Sequence, residues 1–494
     1  MVQTLSDELR PGVSGMAMYV PALRVPLEAW CGWTKNPWPK VQTIVGESFR
    51  CAAPDENVYT MAATAVLRLI RQYGVDPTKV GYLALGTETS TDNSAGAVIV
   101  RGMVDRALEG LGLPRLSRAC EVPEFKHACL GGVYATKGAA RYLALDGKDK
   151  IAIVVCSDIA EYERGSSGEQ TQGAGAAALL LEPRARLLEL DLAHTGTASD
   201  YRGPDFRKPH ARHFVEGYGQ ATERAHDFPV FSGKYSTFAY LDETVRAFDD
   251  MAARLGVPTL QALSEVEAIF FHRPYQHMPV QAAAYLYLRG LLATRDNPTV
   301  GALCHEVGAS REALDAEAAS RPDLFGRVLE GQADQDPCPA TTQVVGALRK
   351  SDEFKAFVGA KMSLGSRGAA DLGNLYTAAL PGWMAAGFEE ALARQLDLAN
   401  KRVLTIGYGS GDAAEAMPAR VAPTWSEAAR HIGFAAALER AVDLTQAQYE
   451  SLHDTRRVEG LPGLPGDRFR ITRVGDRYEP GFQDLGVEYY DYVR

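Results

Sequence analysis

The sequence predicts an α/β fold assembled from two halves of similar plan. Three observations carry this. Short apolar runs of strand length alternate with longer helical stretches. The same order of polar residues at strand ends and helix starts occurs twice along the chain. The length, 494 residues, calls for several domain-sized units or one large duplicated fold.

In the first half, VGYLALGT (80–87) reads as a buried strand running into Glu88. A loop-to-helix segment then carries Cys129, and KIAIVVCSD (150–158) is a strand ending at Asp158. In the second half, EAIFFH (267–272) is a strand ending at His272. A loop-to-helix segment carries Asn374, and RVLTIGYG (402–409) leads into a Gly/Ser turn. The stretches NVYTMAATAVLRLIRQYG, YATKGAARYLALDG and PGWMAAGFEEALARQLDLAN read as helices. The boundary is expected near residue 183, giving halves 1–183 and 184–494. The interval from about 290 to 360 is rich in Ala, Glu, Asp and Arg at helical spacing and reads as a helical insertion in the second half. RRVEGLPGLPGD reads as a turn-rich connection, and FRITRV and EYYDYVR as closing strands.

Hydrophobic residues make up 46% and charged residues 23%, which excludes a disordered, collagen-like or coiled-coil chain. Lys plus Arg is 52 and Asp plus Glu is 62, a net charge of −10. No basic stripe is present, so nucleic acid is not an expected partner, and an acidic surface is poorly suited to anionic membranes. No apolar run approaches the roughly 20 residues that span a bilayer. The opening MVQTLSDELRPG has neither the basic nor the apolar region of a secretory signal. The seven cysteines are widely spaced without a CxxC pair, so neither a disulfide framework nor a cysteine-rich metal site is expected. These features together predict a cytoplasmic protein.

Cys129 lies in EFKHACLGGVYATKGAARYL, where small residues and a helix follow it. A thiol at a helix start feels the positive end of the dipole, which lowers its pKa. The alternative is a buried small hydrophobe. Glu88, leaving an apolar strand in LALGTETSTDNS, is a candidate general acid/base; the alternative is a solvated loop residue or a helix cap. His272, at the end of EAIFFH, is a candidate acid, base or polarising group, against a core histidine bonded to backbone. GYGSGDAAE (407–415) departs from the dinucleotide pattern G-x-G-x-x-G and reads better as a tight turn presenting N–H groups, an oxyanion-type feature. His210 and His213 have metal-ligand spacing but no third ligand and a preceding proline, so a solvated loop is expected. Tyr489, Tyr490 and Tyr492 read as an edge strand rather than a stacking platform.

A helix-start Cys with a strand-end His and a strand-end Glu suits thioester chemistry. In order along the chain come GTETSTDNS, EFKHACLGG, SSGEQTQGAGAAAL, DFRKP, FSGKYSTFAYL, FHRPY, GNLYTAAL and GYGSG. In these motifs, from about residue 14 to 440, the sequence resembles the hydroxymethylglutaryl-CoA synthase family, within the thiolase-like condensing enzymes. The resemblance implies a thiolase fold of two βαβαβ-type halves in five layers, and a homodimer. It implies that Cys129 takes an acetyl group from acetyl-CoA. Glu88 then serves as acid/base for attack on acetoacetyl-CoA, acting after acylation, and water releases the product. His272 and Asn374 hold and polarise the acetoacetyl thioester, and Ser410 lies beside the acetyl-enzyme. Ser167, Thr171 and Ser236 match substrate-lining positions, and Asp92, Asp158 and Asp205 match supporting acids. No cofactor beyond the coenzyme A thioesters and no metal are implied.

Three departures stand out. His277 and Gln281 occupy the two positions where the family carries lysines that help hold coenzyme A, and Ala379 replaces a serine. Loss of a charge-assisted hydrogen bond costs about 1.5–3 kcal/mol. The neutral replacements keep open a second reading, a β-branching synthase acting on a β-ketoacyl chain carried by an acyl carrier protein in polyketide assembly. A third reading is an inactive scaffold subunit for a thiolase, against which Glu88, Cys129 and His272 stand together.

Overall fold

The computed structural model describes residues 9–92, 95–207, 228–230 and 232–494; His210 and His213 lie outside them. The first half contributes strands β1 (Gly12–Tyr19), β2 (Val80–Gly86), β3 (Glu124–Phe125), β4 (Ile151–Ala160) and β5 (Gly173–Glu182). They pair in the order β1-β5-β4-β2-β3. The second contributes β6 (Leu188–Leu190), β7 (Gly196–Ser199), β8 (Ala268–Phe271), β9 (Arg402–Gly409) and β10 (Ala413–Val421), in the order β6-β10-β9-β8 with β7 also on β10. The senses match as well. β1–β5 and β5–β4 are antiparallel and β4–β2 parallel. Likewise β6–β10 and β10–β9 are antiparallel and β9–β8 parallel. The two halves therefore repeat one topology. A short antiparallel pairing of Gly12 with Glu189 and Val13 with Leu188 joins them edge to edge.

The strands read as continuous apolar runs because both faces are covered. In β2, Leu83 and Leu85 pack to one side with α1 (Val58–Tyr73) and α2 (Gly96–Gly110), while Tyr82 and Ala84 pack to the other. β4 divides in the same way, Ile153 and Val155 against Ala152, Val154 and Cys156. On that second side lies α3 (Gly131–Ala144), which contacts β2 and β4. The outer face of the second sheet is covered by α4 (Gly233–Leu255) and α5 (His277–Leu292), and α6 (Ala379–Ala393) lies centrally against β1, β5 and β8. α6 is buried nearly all round, from Ala379 through Phe388, as a helix between two sheets must be. The result is the five-layer α-β-α-β-α arrangement of the thiolase-like fold.

Local chemistry sets the element ends. Asn57 caps α1 by accepting from the Tyr59 and Thr60 N–H groups, and Gly74 closes it in the left-handed conformation. Lys137 of α3 meets Glu415 of β10 at 2.6 Å in a buried ion pair that crosses between the halves. Residues from Pro298 to Lys361 form five short helices beside α5. The chain closes with β11 (Arg468–Val474) and β12 (Glu488–Val493), antiparallel, with Tyr490 and Tyr492 packed toward the α1–α2 side. Among the described residues no helix is long and apolar enough to cross a membrane.

Candidate active site

The site forms where equivalent ends of the two repeats face each other. β2 stops at Gly86, and the turn after it is gathered onto Asp158 of β4. One Asp158 oxygen accepts from the Thr87 hydroxyl (3.0 Å), the Glu88 N–H (2.8 Å), and the Thr89 N–H (2.9 Å) and hydroxyl (2.7 Å). The other accepts from the Thr377 N–H (3.0 Å) and the Thr377 hydroxyl. Burial raises the Asp158 pKa, and these bonds pull it part of the way back. Asp158 thus fixes the Glu88 turn against the segment just before α6.

Cys129 sits at a sharp bend. Ala128 has φ 42°, a left-handed conformation that costs an L-residue about 1 kcal/mol, and α3 begins two residues after Cys129, at Gly131. A Cβ on Gly132 would fall 2.3 Å from the Cys156 sulfur, and one on Gly409 would fall 2.6 Å from the His127 carbonyl oxygen. Glycine at the first place lets α3 pack closely on β4, and glycine at the second lets the second-half turn close onto the nucleophile loop. The Cys129 thiol donates to Glu88 Oε2 at 3.5 Å. The helix start predicted a lowered thiol pKa, and the structure reverses this. Burial, foremost, and the carboxylates of Glu88 and Asp158 push the thiol well above its ordinary value. The resting group is a thiol with a proton acceptor beside it.

From the second half, His272 follows β8. Its N–H donates to the Ile406 carbonyl (2.6 Å) and its carbonyl accepts from Tyr240 (2.8 Å). The ring lies nearly parallel to Tyr408, with centroids 6.5 Å apart. Burial lowers the His272 pKa to about 3, so the imidazole is neutral at neutral pH. The Asn374 N–H donates to the Thr171 carbonyl (3.1 Å), and Asn374 Oδ1 accepts from the Tyr376 N–H (2.9 Å), which leaves its Nδ2 as a donor. Gly373, at φ 75°, allows this approach, because a Cβ there would lie 1.9 Å from the Gln172 carbonyl oxygen.

A cavity of about 280 Å³ brings Cys129, His272, Asn374, Ser167, Thr171, Ser236 and Ser410 together in one lining. Glu88 stands behind Cys129 rather than in the lining. Asp205 is a layer deeper, fully buried, accepting from the Ser236 and Tyr408 hydroxyls. Asp92 is exposed and outside the cavity, where its carboxylate accepts from the Ala95 N–H at 3.2 Å. In the Gly/Ser turn the Asp412 N–H is spent on the Asp200 carbonyl (3.0 Å) and the Gly411 N–H is turned to Asp205. That narrows an oxyanion donor from this turn to the Ser410 N–H. His277 opens α5 half-buried, with its pKa lowered to about 4 by burial and by Arg349. Gln281 Oε1 is buried without a hydrogen-bond partner among the described residues, and neither side chain lines the cavity. Sequence reasoning passed over the aromatic wall: Tyr162, Phe206, Tyr240, Tyr275 and Tyr408. Phe206, Tyr240, Tyr275 and Tyr408 stand inside motifs already singled out, which was the available signal. Among the described residues no group of His, Cys, Asp and Glu could hold a metal ion.

A buried Cys129 beside a half-buried Glu88, facing His272 and Asn374 from a second topological repeat, is the arrangement of a thiolase-like condensing enzyme. A family model described as hydroxymethylglutaryl-coenzyme A synthase N terminal matches residues 11–186. The hydroxymethylglutaryl-CoA synthase of Haloferax volcanii is 27% identical over 408 residues, covering 82% of each chain. That of Gibberella zeae is 25% identical over 504 residues, covering 95% of this chain and 97% of its own. The solved structure of MvaS in complex with 3-hydroxy-3-methylglutaryl coenzyme A superposes with a TM-score of 0.75 at 26% identity, covering 98% of this chain and 100% of its own. Over most of its length the chain is similar to hydroxymethylglutaryl-CoA synthases, and its first 186 residues match the family's N-terminal model from residue 11 on.

Proposed function

We propose that the chain is a hydroxymethylglutaryl-CoA synthase that converts acetyl-CoA, acetoacetyl-CoA and water into 3-hydroxy-3-methylglutaryl-CoA and coenzyme A. One observation carries the reading: the Cys129 thiol donates to Glu88 at the edge of a cavity that also presents His272 and Asn374. In the first step Cys129 Sγ attacks the acetyl carbonyl and the coenzyme A thiolate leaves. The thiol proton passes to Glu88, the nearest carboxylate, and on to the departing sulfur. This gives Glu88 a part in acylation as well, beyond the later role expected of it. Glu88 next removes a proton from the acetyl methyl. The carbon nucleophile attacks C3 of acetoacetyl-CoA, and Glu88 returns the proton to the new tertiary alkoxide. Neutral His272 and the Asn374 Nδ2 hold the acetoacetyl thioester. Water then cleaves the Cys129 thioester and frees the product. Ser410 N–H supports the oxyanion in the acylation and hydrolysis steps. Coenzyme A thioesters are the substrates and no further cofactor enters. We further propose a homodimer and a place in isoprenoid supply through mevalonate, which the similarity to hydroxymethylglutaryl-CoA synthases supports.

The neutral state of His277 and Gln281 favours keeping the carrier-protein reading as an experimental arm. The curacin pathway HMG synthase in complex with apo donor-ACP shares the fold at 18% identity and a TM-score of 0.64. The test is a condensation assay with labelled acetyl-CoA, offering acetoacetyl as its coenzyme A thioester and on a carrier protein. Turnover of the coenzyme A thioester is expected. Turnover of the carrier-bound substrate alone would replace this function with β-branching, and no turnover of either would remove both.

A further inference from the structure

The mechanism above makes no use of Arg202, yet Arg202 is the most heavily bonded cation near the site. It has no exposed surface. Its Nε donates to Asp412 Oδ1 at 3.2 Å, and one terminal nitrogen donates to Asp242 and Glu243 at 2.6 Å each. The other terminal nitrogen lies 3.1 Å from Asp200. The backbone is bound to the same places. The Arg202 N–H donates to the Gly411 carbonyl (3.1 Å), and its own carbonyl accepts from Tyr235 (2.9 Å). One guanidinium thereby joins α4, the segment after β7 and the turn between β9 and β10.

Asp412 passes this anchoring to the cavity. Its second oxygen is 3.3 Å from the Tyr408 hydroxyl, which is also 3.2 Å from Asp205. Tyr408 lines the cavity and lies against the His272 ring. Tyr240 packs on Tyr408 from its other neighbours, with centroids 4.8 Å apart, and holds the His272 carbonyl. The ring of His272 has no hydrogen bond to its Nδ1 among the described residues, and it is flanked by the rings of Tyr240 and Tyr408 at centroid separations of 6.4 and 6.5 Å. We propose that Arg202 is a positioning residue: through Asp412 it fixes Tyr408, and through Tyr408 it fixes the His272 imidazole in the acetoacetyl-binding half of the site. The inference rests on the proposed condensation for its kinetic consequence but not for its structural one.

The informative variant is Asp412→Asn, because Arg202 keeps Asp200, Asp242 and Glu243 and the volume is unchanged. Condensation is expected to slow about tenfold, with a raised KM for acetoacetyl-CoA, because an amide nitrogen in place of Asp412 Oδ2 cannot accept from the Tyr408 hydroxyl. Transfer of labelled acetyl to Cys129, measured without the second substrate, should change less than about twofold on the same scale. Tyr408→Phe should reproduce this pattern, and the double variant should be no worse than the more affected single one, since both break one chain. Arg202→Lys should keep more condensation than Arg202→Met. A direct readout is the His272 imidazole resonance in protein labelled with ¹⁵N-histidine, assigned by loss of the signal in His272→Gln. It should move in Asp412→Asn and in Tyr408→Phe. An unmoved His272 signal, additive kinetic effects, or equal loss of acetyl transfer and condensation would overturn the positioning role. Wild-type protein without condensation but with a moved His272 signal would instead remove the proposed function and leave the positioning chain in place.

Discussion

The two repeats share a topology and hold their active-site ends by opposite electrostatics. In the first half one buried acid, Asp158, accepts six hydrogen bonds from neutral N–H and O–H donors. In the second half one buried cation, Arg202, sits among Asp200, Asp242, Glu243 and Asp412. The first device is short-range and directional, and its strength depends on each donor being in place. The second depends on how many of the surrounding acids are ionised. The difference follows the chemistry each half performs. In the proposed reaction Cys129 and Glu88 must meet within a hydrogen-bond length, while the second half would hold the substrate with a neutral His272 and the Asn374 amide.

The comparison can be broken most severely at the nucleophile. Cys129→Ala should lower turnover at least about 10⁴-fold, since one member of a catalytic unit carries nearly the full effect. Trapping of labelled acetyl on the digested protein checks it, and label on any other cysteine would refute the assignment. Next in size is Asp158→Ala, which strands the Glu88, Thr89 and Thr377 N–H groups in the interior. A stability loss of about 4 kcal/mol is expected from denaturant unfolding, a few unsatisfied donors at 1–3 kcal/mol each with partial relaxation. A loss under about 1 kcal/mol would mean the knot is redundant. His272→Ala should cost about 100-fold in kcat/KM for acetoacetyl-CoA while acetyl-enzyme still forms. Failure of acetyl transfer in a folded variant would place His272 in the first half-reaction instead.

The smallest effect separates the two anchors by pH. Asp412 is pushed up to about 9 by burial, partly offset by Arg202, whereas the unfolded carboxyl titrates near 4. A raised folded-state pKa gives stability that is whole below the unfolded value and is lost as pH rises toward the folded one. Urea midpoints of the wild type should therefore fall between pH 6 and pH 9, and those of Asp412→Asn should fall less. Equal slopes would show that Asp412 is not titrating in this window.

How far these features could be read from the sequence depended on distance along the chain. Glu88, Cys129, His272, Asn374 and Ser410 each stand at a strand end or helix start, and hydrophobic periodicity locates such junctions. Their convergence followed from noticing that the pattern occurs twice. The direction of the Cys129 pKa was misread because the helix start is local and legible, while burial and the Asp158 carboxylate come from elsewhere in the fold. Asp92 matched a motif and lies exposed outside the cavity lining, a placement that cannot be read from a loop. Arg202 drew no notice because a lone arginine carries no periodic signal. Apart from the nearby Asp200, its partners include Asp242 and Asp412, 40 and 210 positions away along the chain.

The edge pairing of β1 has a consequence for how this chain is made. Gly12–Tyr19 pairs with Gly173–Glu182 and, at its beginning, with Leu188–Leu190. During synthesis β1 therefore waits for its two neighbours until far more than a hundred further residues have followed it. Through that interval eight consecutive residues that end up buried are without a sheet to enter. Long-range closure of this kind is slow, and an unpaired apolar strand is open to association with other chains. Once formed, the same strand is the seam between the two repeats, so a strand that waits long for its partners is also the one that makes two sheets continuous.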